Sequence, residues 1–242
     1  MKIAIVSDIH SNLEAMEAVR KDIELIGVDA IYFVGDVVGY GPDPNACTGW
    51  VMENTDLAVM GNHDIAALGN IDIETFNPNA REAIVWNSEQ MEEWAADYIA
   101  TLPMMVTRDD VTLVHANPQD PEGWNYIFSL WDAEMNFSYF KTRFCFVGHS
   151  HQPVIVGLDT EGQASVLPGN NLKVEDGVRY LINVGSVGQP RDGNPDACFG
   201  MLDTEKGEFS FFRSAYDYTV TQDKMVHAGL PESLAERLAE GR

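Results

Sequence analysis

Basic residues are scarce: 15 lysines and arginines stand against 38 aspartates and glutamates in 242 residues, a formal net charge of −23. Gripping a DNA or RNA polymer needs Lys and Arg to meet many phosphates, and long-range repulsion opposes it here. No nucleic-acid polymer is therefore expected as a partner. A small anionic substrate stays compatible, because bound cations become the largest local charges in a site. Much of the acidity reads as a solubility adaptation. Cysteine is scarce too. Cys47, Cys145 and Cys198 are odd in number, widely spaced and without a CxxC pair. That argues against a disulfide framework and suits free thiols in a reducing compartment, so a cytoplasmic location is the expectation. No apolar run approaches the roughly 18 residues of a membrane span, and no membrane partner is expected. The opening MKIAIVSDIH turns polar and acidic after a few apolar residues. It reads as a buried first strand and not as a signal peptide.

What is present is an alternation of strands and helices. Lys2–Ser7 suits a buried strand, and Ser11 and Asn12 offer an N-cap. Leu13, Met16, Val19, Ile23 and Ile26 follow at helical spacing, and 29–34 and 57–60 read as further strands. This favours a parallel sheet covered by helices. The stretch 78–102 is helical in pattern throughout, and 104–107 with 111–115 suggests a hairpin around Asp109-Asp110. Residues 118–140 read as irregular and aromatic. Strands are then expected at 143–147, 154–159, 163–167, 180–184, 198–203 and 208–213. The tail from Tyr216 reads as two short helices broken at Gly229-Leu230-Pro231.

Histidine, also sparse, is the sharpest signal. Five of the six histidines fall in short motifs at the ends of expected strands. Asp8 and His10 make DxH; Gly35-Asp36 follows the second strand; Gly61-Asn62-His63-Asp64 follows the third. His115 ends a later strand, and Gly148-His149-Ser150-His151 ends another. Only His227 is left over, as an exposed helix residue. Open α/β sheets build their sites at such strand ends. Alternate residues of an extended segment share a face, so DxH and HxH each aim two side chains together. Carboxylate plus imidazole suits two adjacent divalent ions, with Mn, Fe, Zn, Co or Ni fitting better than Mg or Ca. No cysteine joins these clusters, which argues against a structural zinc–thiolate site.

In this order the five motifs resemble the calcineurin-like metallophosphoesterase family, over roughly Met1 to Arg213. The resemblance implies an α/β (α+β) fold, a four-layer sandwich of two facing mixed sheets flanked by helices. It implies a metallophosphoesterase domain over 1–215, with 118–142 as a cap segment within it, and 216–242 as a C-terminal helical tail. One ion would be held by Asp8, His10, Asp36 and His151. The other would be held by Asp36, Asn62, His115 and His149. His63 would contact the phosphate and protonate the leaving group, with Asp64 fixing its ring, capping a helix, or both.

Two departures shape the substrate expectation. Protein phosphatases of this family carry arginine in a GDxxDRG motif, and this chain has GDVVGYG, with Tyr40 in that place. Ile65 follows GNHD where those enzymes have another arginine. The sequence therefore looks more like the small bacterial phosphodiesterase branch, and NVGSVGQPR at 183–191 resembles a loop of that branch near its site. Arg191 is a candidate phosphate contact, or the cap of a turn. Trp124, Tyr126, Phe128 and Trp131 read as core or as a lid over the metals, with Trp124 or Trp131 stacking a base. The expected activity is a dinuclear-metal phosphodiesterase on a small or nucleotide-type ester. Its rivals are a phosphomonoesterase, a dinucleoside polyphosphate hydrolase and a metal-free scaffold; the last is disfavoured because every expected ligand and His63 are present.

Overall fold

Every second side chain of an extended segment faces the same way, and in Lys2–Val6 this decides the layering. Ile3 and Ile5 enter a cluster with Leu113, Phe146, Ile155 and Ile182, whereas Ala4 and Val6 enter one with Met16, Val19 and Trp50. The first cluster is the filling between two sheets; the second packs helices onto the outside of one of them.

The computed structural model describes all residues from 1 to 242. Its elements run β1 (Lys2–Val6), α1 (Leu13–Ile26), β2 (Ala30–Phe33), α2 (Pro44–Asn54), β3 (Leu57–Ala58), α3 (Asn62–Ala67), α4 (Pro78–Gln90) and α5 (Glu93–Ala100). Then come β4 (Met105–Arg108), β5 (Val111–Val114), α6 (Leu130–Asn136), β6 (Phe144–Val147), β7 (Val154–Leu158) and β8 (Ala164–Leu167). The chain ends with β9 (Asn171–Lys173), β10 (Arg179–Asn183), β11 (Ala197–Asp203), β12 (Glu208–Ser214), α7 (Tyr218–His227) and α8 (Glu232–Glu236). One six-stranded sheet has the order β3-β2-β1-β11-β12-β9, the other β4-β5-β6-β10-β7-β8. Both are mixed: β1 lies parallel to β2 and antiparallel to β11, and β10 parallel to β6 and antiparallel to β7. Helices α1, α2 and α5 cover the first sheet, and α6 with Phe137 and Phe140 covers the second. The four-layer α/β sandwich expected from the sequence is the fold observed.

Several elements differ from the sequence reading. The helical stretch after Pro78 is two helices. Asn45 splits them, its Oδ1 accepting from Glu92 N at 2.8 Å and its Nδ2 donating to Gln90 O at 2.9 Å. That is a tertiary contact without a local breaker. Residues 118–140 are not wholly irregular: Ser129 and Asp132 form a reciprocal capping box that starts α6. Arg179 donates to the carbonyls of Phe137, Phe140 and Thr142, tying the end of that segment to β10. Helix α2, begun by Pro44 at its first turn, and the three-residue β9 have no counterpart in the sequence pattern. The tail packs Met225, Leu230, Leu234, Ala235 and Leu238 against Tyr40 and the Ala80/Ala83 face of α4. All three cysteines are buried, and burial pushes the Cys198 thiol up to about 12 and those of Cys47 and Cys145 well above their usual value.

Candidate metal centre

Strands β1, β2 and β3 run parallel in one sheet, and β5, β6 and β10 run parallel in the other. The loops leaving their C-terminal ends converge and carry Asp8 and His10, Asp36, Asn62 to Asp64, His115, His149 and His151, and Gln189 with Arg191. These loops turn sharply. Asp8, His10, Ser11, Asp36, Tyr40, His149 and His151 all have positive φ, between 48° and 65°. Elsewhere only Asp109 and Trp124 do so among non-glycine residues. Such backbone costs on the order of 1–3 kcal/mol per residue and persists where the surroundings over-determine it, typically at sites. Gly61 and Gly148 are required by close approach. A Cβ at Gly61 would strike the Asp36 carboxylate, and one at Gly148 would strike Ser7 Oγ and Asp8.

The converging atoms form three overlapping sets, Asp8/His10/His151, His10/Asp36/His63 and Asp8/Asp36/His115, each with its ligand atoms within 4.8 Å of one another. All are buried. Asp36 Oδ1 accepts from His63 N at 2.8 Å, while Oδ2 lies 3.6 Å from His10 Nε2 and 3.3 Å from His115 Nε2. One oxygen is thus shared by both halves of the cluster. Asp8 Oδ1 lies 3.2 Å from His151 Nε2, and Asn62 Oδ1 lies 3.1 Å from His115 Nε2.

Three imidazoles are held by the nitrogen that faces away. Nδ1–H donates to Val38 O from His10 at 3.0 Å, to Val34 O from His115 at 2.8 Å, and to Gln189 O from His151 at 2.6 Å. A carbonyl only accepts, so a proton sits on each Nδ1 and each Nε2 faces inward, with a free lone pair where the ring is neutral, the usual support of a metal-binding histidine. His10 Nε2 and His151 Nε2 face each other at 3.1 Å. A cation between two lone pairs resolves that opposition. His149 is reversed: Nε2–H donates to Trp124 O at 2.9 Å, which leaves Nδ1 as the acceptor.

The charges suit the same purpose. Burial opposes ionisation of Asp8 and Asp36, but their histidine neighbours, His151 and His115 foremost, outweigh it and hold both carboxyls well below the usual range. Burial lowers His10, His63, His149 and His151, with His63 at about 4 and His149 at about 3. Burial also works to lower His115, yet Asp36 and Asp8 raise it to about 9. Near neutral pH this gives two carboxylates among mostly neutral imidazoles, a donor set that fits divalent transition metals.

Some expected placements change. Asp64 does not contact the His63 ring; its carboxylate accepts from the backbone amides of Asp36, Val37, Val38 and Gly61 at 2.8–3.2 Å. Its short side chain is fully occupied in anchoring the Asp36 loop. His63 Nδ1 is buried without a partner, and His63 belongs to one of the ligand sets. Tyr40 lies with its ring 4.6 Å from His10 and 4.4 Å from His63, and its hydroxyl takes Arg191 Nη2 at 3.2 Å. A cavity of about 520 Å³ opens beside His63, walled by Tyr40, Phe76, Trp124, Tyr126 and His149. Tyr126 stacks on His149 at 4.0 Å. Trp131 and Phe128 do not line this cavity and are 68% and 67% exposed.

Sequence reasoning missed the groups that fasten the loops. Asn87, fully buried, accepts from Ser11 Oγ and Gly39 N and donates to Gly41 O. Ser186 Oγ donates to Asp8 O, and Asn183 Nδ2 to Ser150 Oγ. Asn183 and Ser186 at least sit in the NVGSVGQPR segment; Asn87, in mid-helix, carries no local signal. Phe76 and Asp72 reach the cavity from a loop that had no motif at all.

Two facing mixed sheets with clustered carboxylates and imidazoles at their strand ends support a metal-dependent hydrolase. The calcineurin-like phosphoesterase superfamily domain matches residues 1–207, and the chain belongs to that superfamily. An uncharacterized protein of Methanocaldococcus jannaschii is 37% identical over 244 aligned positions, covering 99% of this chain and 98% of that one. The crystal structure of a metallophosphoesterase from Sphaerobacter thermophilus is similar, with a TM-score of 0.88 at 40% identity over 100% of this chain and 99% of that one. A hypothetical protein from Pyrococcus horikoshii shares the fold, with a TM-score of 0.79 at 16% identity over 100% and 98% of the two chains.

Proposed function

We propose that this chain is a two-metal phosphodiesterase of the small bacterial type, acting on a small or nucleotide-type ester. The observation that carries the reading is the shared oxygen of Asp36, flanked by inward-facing imidazoles whose outer nitrogens are tied to carbonyls. Asp8, His10, Asp36 and His151 would hold one ion, and Asp36, Asn62, His115 and His149 the other, His149 through Nδ1. Mn, Fe, Zn, Co and Ni all suit the donors. When bound, the pair supplies an acidified water and neutralises charge on the phosphoryl oxygens.

The chain's own groups do the rest. Asp64 holds the Asp36 loop in its strained turn. His63 lines the cavity, with its Nδ1 buried and free of protein partners, and serves as the acid that protonates the departing alkoxide. Burial lowers its pKa, and a phosphate anion against the ring shifts it upward again. Tyr40, whose hydroxyl burial raises, stays neutral at the place where monoester-directed phosphatases of the family carry a cation. With Ile65 in place of the second motif arginine, the grip on the phosphoryl group being cleaved rests on Arg191 at the Tyr40 hydroxyl alone, and on that ground a singly charged diester is the expected substrate.

The test is kcat/KM on bis(p-nitrophenyl) phosphate and on p-nitrophenyl phosphate, with each divalent metal added in turn to protein stripped by chelator. Faster diester cleavage is expected. Faster monoester cleavage reverses the substrate choice, and no cleavage with any metal removes the enzyme reading.

A further inference from the structure

In a chain so rich in aspartate and glutamate, two arginines near the proposed centre pair with neither. Arg191 forms no ion pair; its Nη2 donates to Tyr40 Oη at 3.2 Å and to Gln189 Oε1 at 2.9 Å. Its Nε is buried and has no partner. Gln189 is 1% exposed, and its Nε2 is likewise unpartnered. With His63 Nδ1, these make three of the five buried side-chain polar atoms in the protein that lack a hydrogen bond. Arg191 and Gln189 contribute N–H donors, so what the cluster lacks is an acceptor. A buried donor left unpaired is costly, most of all on a charged group.

The second arginine comes from the tail. Leu234, Ala235 and Leu238 pack into one cluster with Tyr40, and this sets Arg237 beside it. Gly193 N donates to Gly241 O at 3.0 Å, fastening the tail to the loop that follows Arg191. Arg237 pairs with no Asp or Glu side chain; its Nε donates to Arg242 O. Burial first, and then the charge of Arg191, hold its guanidinium below the usual value. Neither guanidinium is matched by an Asp or Glu side chain. A purely structural role for Arg191 accounts for its bonds to Tyr40 and Gln189, but not for the idle donors.

We infer that Arg191 and Arg237, with Gln189, form an anion site alongside Tyr40 that takes a second phosphate of the substrate. Tyr40 also touches His10 and His63, so this site lies one aromatic ring away from the metal cluster. The substrate class is then a phosphoester with a further phosphate on one arm, such as a phosphorylated nucleotide. Planar guanidinium forks suit phosphate oxygens, and the tail, which lies beyond the matched 1–207 segment, supplies half of the grip. This rests on the two-metal reading above.

The experiment compares the p-nitrophenyl ester of thymidine 5′-phosphate with the same ester carrying a 3′-phosphate. Wild type should favour the second by roughly tenfold or more in kcat/KM, through KM, the scale of lost charged hydrogen bonds. In Arg191→Gln and Arg237→Gln the ratio should fall to about one, and Arg237→Lys should restore part of it. Calorimetry on metal-free protein with thymidine 3′,5′-bisphosphate gives an arm that needs no turnover. Binding there that both glutamine variants lose, without ester cleavage under any metal, upholds this site and sinks the two-metal reading instead. A ratio near one in wild type, with no binding by the metal-free protein, overturns the site. Binding of inorganic phosphate that leaves the ester ratio near one overturns the assignment to a substrate arm.

Discussion

The floor of the site and the segment 118–142 contribute to the same cavity in opposite ways. The floor is buried, backbone-strained and over-determined: Asp8, Asp36 and Asp64 each accept from backbone amides, and three imidazoles are tethered to carbonyls. Segment 118–142 touches the site through Trp124 O and the Tyr126 ring, then leaves large apolar side chains such as Phe128, Trp131 and Tyr139 in solvent. One region fixes atoms for chemistry; the other offers surface for an organic group. Damage to the floor should therefore abolish turnover, and damage to the segment should retune affinity.

The widest gap between them should come from Asp36→Ala. Both halves of the cluster share its Oδ2, so elemental analysis should fall from about two metal equivalents toward none. kcat should drop by roughly 10³-fold or more, since metal stabilisation amounts to several kcal/mol. A variant that keeps two metals and most of its rate would show that Asp36 is no bridge.

His63→Ala comes next. Both metals should stay, and cleavage of alkyl or nucleoside diesters should slow by about 10²–10⁴-fold, with a smaller loss on p-nitrophenyl esters. An equal loss for every leaving group would mean that His63 only binds phosphate. A lost metal would make it the ligand that its place in one of the three sets allows.

Acidity probes the floor without mutation. In metal-free protein His63 titrates at about 4 and His149 at about 3, against 6.5 for a free side chain, with His10 and His151 also lowered. Between pH of about 6.5 and 4 the unfolded chain takes up protons that the fold does not, so stability falls as pH falls. Asp64, which burial and Asp36 raise to about 7, acts in the opposite sense across that window, and His115, which Asp36 and Asp8 raise to about 9, does so in its upper part, two groups against four. A net loss on the order of a few kcal/mol is expected on going from pH about 6.5 to about 4. Urea unfolding with chelator present measures it, and a stability that rises on acidification would contradict the buried neutral histidines.

The smallest effect tests the segment. Trp124→Ala should raise KM for a nucleotide ester by roughly five- to a hundredfold, the worth of one stacked base, with kcat nearly kept. Trp131→Ala, outside the cavity, should leave KM alone. Equal effects of the two would erase the distinction between wall and outer surface.

The same contrast explains what the sequence disclosed. Floor residues were legible because one strand end needs one residue type at one spacing: DxH, GD, GNHD and GHSH name themselves. The layering is written in the alternation of Ile3 and Ile5 with Ala4 and Val6, but the residues alone read as a parallel sheet covered by helices, and the two facing sheets came only with the family resemblance. The division of α4 from α5 was not, because Asn45 makes it from a distant helix. Of the two readings of Asp64, the helix cap is the one seen: its carboxylate takes the Gly61 amide, and those of Asp36, Val37 and Val38 besides, and adjacency alone did not make it a partner of the His63 ring. Arg237 was invisible for the same reason as Asn87. Each gains meaning only from what a remote segment packs beside it.

The buried thiols turn this architecture into something that can be timed. Cys47 lies under the helical layer of the first sheet, Cys145 beneath α6 on the second, and Cys198 on β11. Sealed off and protonated, none should react with a thiol dye until its own cover lifts. Single-cysteine versions of the chain would then act as separate clocks, one for each layer. Faster labelling of Cys145 than of Cys47 would record α6 and its flanking aromatics opening while the floor of the site stays shut.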